Sequence, residues 1–166
     1  MKTVKTNINQ DVALPDTSDY EILKLDNQLC FSLYVCSKEI IRKYKSLLEP
    51  YGLTYTGYII LLALWEEDQI NVKDLGKRLF LDSGTLTPML KKLEVLDYIK
   101  RTRSSQDERN VYIGLTQKGL NLKKEAKKIP ESLICTLNLE PEPAAELLKS
   151  LHSMMKLLSS SDYSEI

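Results

Sequence analysis

Cys30, Cys36, Cys135 and the single histidine, His152, are the side chains of this 166-residue chain best suited to nucleophilic, redox or metal chemistry. An odd number of widely spaced cysteines argues against a secreted disulfide scaffold, and one histidine argues against zinc, so any cysteine that matters here acts through its reactivity. The reactive form of a thiol is the thiolate, which a peroxide converts to sulfenic acid. Cys30 and Tyr34 are four residues apart and share a helix face. Cys36, six residues beyond Cys30, is rotated by about 240° on a helix of 3.6 residues per turn and reads as a packing residue. Judged on its own, Cys30 is also readable as a small buried apolar residue, the commonest fate of a free cysteine.

A second group of residues is suited to a polyanion. Ser83, Thr85 and Thr87 put three short hydroxyls in five positions, Lys91 and Lys92 follow, and Arg101, Arg103 and Arg109 come soon after. Hydroxyls and cations of this kind contact phosphates and base edges. The zero net charge of the chain seems at first to oppose such a partner, but it results from segregation. Residues 1–71 carry 7 basic and 10 acidic side chains, residues 72–128 carry 14 and 7, and residues 129–166 carry 2 and 6. The basic middle segment is the candidate DNA-binding surface. No glycine-rich phosphate loop and no paired-carboxylate signature occurs in the sequence, and neither a cofactor nor a metal is expected.

Several elements must position these groups. Residues 1–20 are polar, contain Pro15 and read as a flexible arm. Leu25, Leu29, Leu33, Ile40, Leu47 and Leu48 fall near helical spacing and predict one long helix over residues 21–48. TYTGYIILLALWEED, behind the cap candidate Thr54, is apolar nearly all round and predicts a central buried helix. Asn71 caps a short helix over 72–80, and Asp82 or Ser83 caps another over 85–98, with Pro88 in its first turn or so. Residues 99–105 and 110–116 predict a β-hairpin whose tip is QDER. A helix over 117–137, bent or interrupted at Pro130, and a terminal amphipathic helix over 144–160 complete the chain. No apolar run reaches the roughly 18 residues of a membrane span and no signal peptide is visible, so a cytoplasmic protein with no membrane partner is expected.

Two short helices joined by a tight turn and followed at once by a hairpin make a winged helix-turn-helix. The fold class is therefore mainly α with a small β-hairpin wing, in which the second short helix is sized for a major groove. The runs LFLDSGTLTPMLKKLE and IKRTRSSQDERNVYIGLTQKG resemble the winged-helix core of the MarR family of bacterial repressors. LDNQLCFSLY and LTYTGYIILLALWE resemble the organic-hydroperoxide-sensing OhrR branch of that family.

The resemblance covers residues 21–158 and implies a single domain over 21–160, with the winged helix-turn-helix at about 54–116. It implies a homodimer built from the helices at about 21–48 and 117–160. It assigns redox sensing to Cys30 within NQLCF, hydrogen bonds to that thiol from Tyr44 and Tyr55, a pocket position to Tyr34, and a minor-groove contact to Arg109 braced by Asp107. It also makes Cys135 a candidate resolving thiol, while Cys36 matches no motif residue and Asp97 stands where relatives often have a helix-ending glycine.

On one continuous helix Tyr44 lies about 21 Å along the axis from Cys30, so any contact between them requires the second protomer. The implied partners are double-stranded DNA with a pseudo-palindromic operator, an organic hydroperoxide as oxidant and, in a one-cysteine route, a low-molecular-weight thiol. Three other readings stay open: a repressor controlled by a phenolic ligand in the dimer cleft, a thiol peroxidase, which would leave the winged-helix residues without a task, and a nucleoid or structural DNA binder without sequence preference.

Overall fold

In the computed structural model, α2 (Tyr55–Glu66) is the helix around which the later helices of the chain are packed. Its apolar character on nearly every side leaves Ile60, Leu61 and Leu64 at 0–1% exposure. Thr54 caps it as expected, its Oγ1 accepting from the Gly57 N–H at 3.2 Å. The structure describes residues 17–105, 107, 110–138 and 140–160. The expected flexible arm lies, for residues 1–16, outside the described residues. Among the described residues no single helix is long and apolar enough to cross a membrane.

The chain divides into two units, Met1–Ile40 and Ile41–Ile166, with α1 (Leu29–Leu48) running from one into the other. In the first unit, the long helix expected from residue 21 begins only at Leu29. Thr17–Leu23 and Leu25–Asn27 are 3-10 turns instead. Asn27 Nδ2 donates to the Glu21 carbonyl at 2.7 Å, and Gln28 Nε2 donates to the carbonyls of Ile22 and Lys24. Side-chain amides that take backbone carbonyls in this way compete with the α-helical ladder.

In the second unit, α3 (Val72–Leu79) and α4 (Ser83–Val95) form the helix-turn-helix. Asn71 caps α3 through the Lys73 N–H. Phe80 turns the chain with φ 54°, and the Leu81 N–H reaches back to the Gly76 carbonyl at 2.9 Å. Asp82, rather than Ser83, caps α4. Pro88 is the sixth residue of α4, two residues deeper than expected. The helix persists through it because Leu86, Leu90 and Leu93 bury the inner face. The recognition-helix candidate ends at Leu96 and Asp97, and Asp97 takes φ 60°, so the aspartate fills the left-handed position suited to glycine.

Strands β1 (Ile70–Asn71), β2 (Ile99–Arg103) and β3 (Val111–Leu115) form an antiparallel sheet in the order β1-β3-β2. Ile99 pairs with Leu115, Arg103 with Val111, and Ile70 with Ile113. The hairpin is thus as expected, while β1 adds a third strand that two residues were too few to reveal. Asp68 Oδ1 also accepts from the Leu115 N–H at 2.8 Å, beyond the end of the β1 pairing.

Helices α5 (Gln117–Ala126) and α6 (Lys128–Leu137) replace the single expected helix. The break falls at Lys127, one turn before Pro130. Proline has no N–H for the carbonyl four residues back, here that of Ala126, and its ring crowds that carbonyl. Pro130 itself is accepted in the first turn of α6. The last helix, α7 (Pro141–Ser160), begins three residues earlier than expected, because Pro141 and Pro143 occupy its first turn, where backbone N–H groups have no helical acceptor. The mainly α winged helix with a small sheet is therefore borne out.

Gly119 holds α5 against the sheet. A Cβ there would lie 2.1 Å from the Tyr98 carbonyl oxygen and 3.1 Å from Leu115 Cδ2. The Gly119 carbonyl also accepts from Trp65 Nε1 at 3.0 Å. Gly119→Ala is expected to destabilise the fold by about 1–3 kcal/mol, read as a melting temperature lowered by about 2–4 °C per kcal/mol. An unchanged melting temperature would refute this packing.

Candidate functional site

The outer face of α4 carries Ser83, Thr85, Thr87, Lys91 and Lys92, all exposed, opposite the buried Leu86, Leu90 and Leu93. This arrangement follows from the 3.6-residue period: the leucines anchor the helix and the polar residues remain outside. One expected donor is already engaged. Thr85 Oγ1 donates to Asp82 Oδ2 at 2.8 Å, while the Thr85 N–H donates to Asp82 Oδ1 at 2.8 Å. Thr85 therefore presents an acceptor rather than a free hydroxyl proton. These two bonds hold the Asp82 carboxyl below the usual carboxylate range.

On the hairpin, Arg103 and Lys100 are exposed, but Arg101 is not free for a polyanion as expected. Its Nη2 lies 2.6 Å and its Nε 2.8 Å from Glu94 Oε2, and its backbone N–H donates to Glu94 Oε1 at 3.2 Å. This bonding lowers the Glu94 carboxyl from its ordinary range. At the hairpin end, Asp107 Oδ2 accepts from Asn110 Nδ2 at 3.2 Å, and Asn110 Oδ1 accepts from Asn71 Nδ2 at 3.3 Å, tying the wing to the cap of α3. Arg109, with Gln106 and Glu108, lies outside the described residues, and so does its bracing by Asp107.

Cys30, Cys36 and Cys135 are all free and exposed in the single chain. Cys36 is thus on the surface of the chain rather than in its core. Cys30 and Tyr34 lie on α1, where Tyr34 is 61% exposed and Lys38 Nζ lies 5.8 Å from the centre of its ring. Cys135 lies on α6.

In the other unit, the two tyrosines singled out in the sequence meet each other. The ring centres of Tyr44 and Tyr55 are 4.9 Å apart. A third tyrosine that the sequence reading missed joins them. Tyr58, 3% exposed, lies 5.8 Å from Tyr44 and 6.4 Å from Trp65 between ring centres. Its spacing of three from Tyr55 on one helix was the available signal. Burial first, then the neighbouring Tyr55 and Tyr58, push the Tyr44 phenol up to about 12. Burial also raises Tyr58. Both phenols thus stay protonated, as hydrogen-bond donors, throughout the neutral range.

Residues 42–126 match the family described as transcriptional regulator SarA/Rot. The chain is 49% identical over 131 residues to the HTH-type transcriptional regulator SarZ of Staphylococcus epidermidis, covering 79% of this chain and 88% of that one. Overoxidised AbfR bound to DNA is 36% identical with a TM-score of 0.70, covering 84% of this chain and 98% of that one. Disulfide-formed AbfR, a protein also known from S. epidermidis, is 35% identical with a TM-score of 0.60 at the same coverage. A MarR transcriptional regulator from Methanosarcina mazei Go1 is 26% identical with a TM-score of 0.64, covering 78% of this chain and 98% of that one.

The Tyr44 shift has a defined sign. A phenol whose folded pKa exceeds its unfolded value adds stability that is complete below about pH 10 and is lost as pH rises towards about 12. Alkaline difference spectra are expected to show one tyrosine ionising near pH 12 that is absent in Tyr44→Phe. Denaturant midpoints of that variant should fall less steeply between pH 10 and 12 than those of the wild type. Equal slopes would contradict the assignment.

Proposed function

The chain belongs to the SarA/Rot family of transcriptional regulators, and from that premise we propose that it is a homodimeric repressor whose reduced form holds a pseudo-palindromic operator and whose oxidation at Cys30 by an organic hydroperoxide releases it. The observation that carries this reading is the coexistence, in one chain, of an exposed, basic α4 face on a winged helix and a free, exposed Cys30 at the start of the first long helix. The relative AbfR, solved on DNA in reduced and overoxidised forms and also with a disulfide formed, supports a redox input to this kind of fold.

The homodimer is supported by apolar side chains that the single chain leaves exposed on its first and last helices, among them Leu29, Val35, Leu147 and Leu157. A second copy would remove this surface from water, at about 25 cal/mol per Å2 of apolar area. With one α4 per protomer, the two recognition helices meet half-sites one helical turn apart. Ser83, Thr87, Lys91 and Lys92 face the groove and its phosphates, and the exposed Arg103 of the hairpin contacts the backbone beside them. The negative charge of the two outer segments keeps DNA on the basic middle of the chain.

In the sensing step, the Cys30 thiolate attacks the terminal oxygen of the hydroperoxide. An S–O bond forms, the O–O bond breaks, sulfur loses two electrons, and the leaving alkoxide takes a proton to become an alcohol. The Cys135 thiolate of the second protomer then attacks the sulfenic sulfur; an S–S bond forms, the S–O bond breaks, and the leaving hydroxide takes a proton to become water. Tyr44 and Tyr55 are the donors assigned to the thiolate at Cys30 of the partner subunit. The backbone of disulfide-formed AbfR is less similar to this chain than that of DNA-bound AbfR, overoxidised though that is. That overoxidised AbfR is solved on DNA supports the disulfide, rather than oxygen on the sulfur alone, as the releasing state.

A DNA-shift titration with reduced protein, protein treated with cumene hydroperoxide, and treated protein returned to dithiothreitol should show binding, release and recovery. Cys30→Ser should bind in all three conditions; its release by peroxide would overturn the thiol reading. Cys135→Ser should fail to give the covalent dimer on a non-reducing gel. Lys91→Ala should weaken binding on operator and random DNA alike, with the salt slope of log K reduced by about 0.9 for one lost phosphate contact.

A further inference from the structure

We propose that Glu94 withholds Arg101 from the DNA backbone and pins the base of the wing to the recognition helix, so that this acid sets how strongly the surface discriminates an operator from random DNA. The inference rests on the reading of α4 and β2 as the DNA-facing surface. It adds to that reading a residue whose charge is opposite to that of the partner.

The placement follows from the backbone. The Asp97 N–H bonds to the Glu94 carbonyl at 2.9 Å and the Tyr98 N–H to the Leu93 carbonyl at 3.0 Å, which turns the chain sharply at the left-handed Asp97. Strand β2 therefore starts beside the last turn of α4. Successive side chains on a strand alternate between faces, so Arg101 shares the face of the buried Ile99. An arginine on this face meets Glu94 first. Three of its N–H groups, Nη2, Nε and the backbone amide, converge on the two carboxylate oxygens at 2.6–3.2 Å.

Charge-assisted bonds that engage both oxygens of a carboxylate are directional as well as attractive, and fix the mutual position of the elements that bear them. An isolated pair this exposed, with side chains 32% and 35% accessible, adds little to stability, so its effect is sought in recognition. Among the described residues, Lys91 and Lys92 of α4 and Arg103, on the same face of β2 as Arg101, form no ion pair, whereas Arg101 does. The surface thus offers phosphate three cations whose charge is not internally balanced and retains a fourth. Backbone phosphate carries affinity without sequence information. A cation held back lowers non-specific binding, while a fixed wing preserves the geometry on which specific contacts depend.

Binding of the reduced full-length protein to operator and to random duplexes is measured across salt for wild type, Glu94→Gln, Arg101→Met and the double variant, with thermal melts confirming that each is folded. Glu94→Gln is expected to steepen the salt slope on random DNA by about 0.9, so that raising salt from about 50 to 200 mM costs it about 3.5-fold more affinity than wild type. Its ratio of operator to random affinity should fall. Arg101→Met should leave the wild-type slope unchanged, and the double variant should lose the gain of Glu94→Gln. The proposal is overturned if Glu94→Gln leaves the slope unaltered, if Arg101→Met alone reduces it by about one, or if the double variant keeps the gain, which would mark a general field effect. Absence of operator binding by the wild type would instead remove the underlying DNA reading.

Discussion

Everything that presents the surface proposed to face DNA depends on the burial of α2. A helix apolar on nearly every side has little solvent face to offer, so α3, α4 and α5 all pack on it, and the buried leucines they contribute orient them. Leu75 of α3 and Leu86, Leu90 and Leu93 of α4 are buried to 2% exposure or less. These contacts fix the outward face of α4 as surely as they hold the core. The sheet is secured in the same way by Ile99 and Ile113. Packing density of this kind resists gradual deformation, so a change of state moves such helices as bodies rather than bending them.

Around that core the polar groups divide between internal and external duties. Asp82, Asn71, Thr54 and Thr116 cap helices. Arg78, between the carboxylates of Glu66 and Glu67, ties the end of α2 to α3. Glu94 takes Arg101, and Asn110 links the wing to Asn71. Side chains left over after this internal bonding, chiefly Lys91, Lys92 and Arg103, are the exposed cations of α4 and of the outward face of β2.

Much of this was legible in the sequence, for a physical reason. Local signals such as the caps at Thr54 and Asn71, the leucine period of α4 and the alternation of the hairpin are written in adjacent residues, and each forms the element it predicts. What could not be read depends on groups distant in sequence or on competing local bonds. Strand β1 exists only because β3, some forty residues later, supplies its partner. The late start of α1 depends on where two amide side chains place their hydrogens. Composition counts Arg101 as a DNA contact, and only the turn at Asp97 reveals that Glu94 reaches it first. The same limit applies to Tyr44 and Tyr55, whose residue types were noticed but whose stacking on Tyr58 belongs to the tertiary fold.

The tyrosine stack bears on how a thiol signal would reach α4. Tyr44, near the end of α1, packs on Tyr55 and Tyr58 of α2, and Tyr58 packs on Trp65. Trp65 in turn donates to the Gly119 carbonyl, while its own carbonyl accepts from Lys123 Nζ at 2.8 Å. The stack therefore joins the end of α1 to both the helix that supports α4 and the helix that follows the wing. Because the Tyr44 phenol is kept protonated by its surroundings, its response to a neighbouring thiolate is to orient a hydrogen bond, not to exchange a proton. In the proposed mechanism, loss of that thiolate removes an acceptor from the end of this chain of rings. A half-buried phenol then has either to find another acceptor or to shift, and a shift at Tyr44 is felt first by α2, on which the orientation of α4 depends.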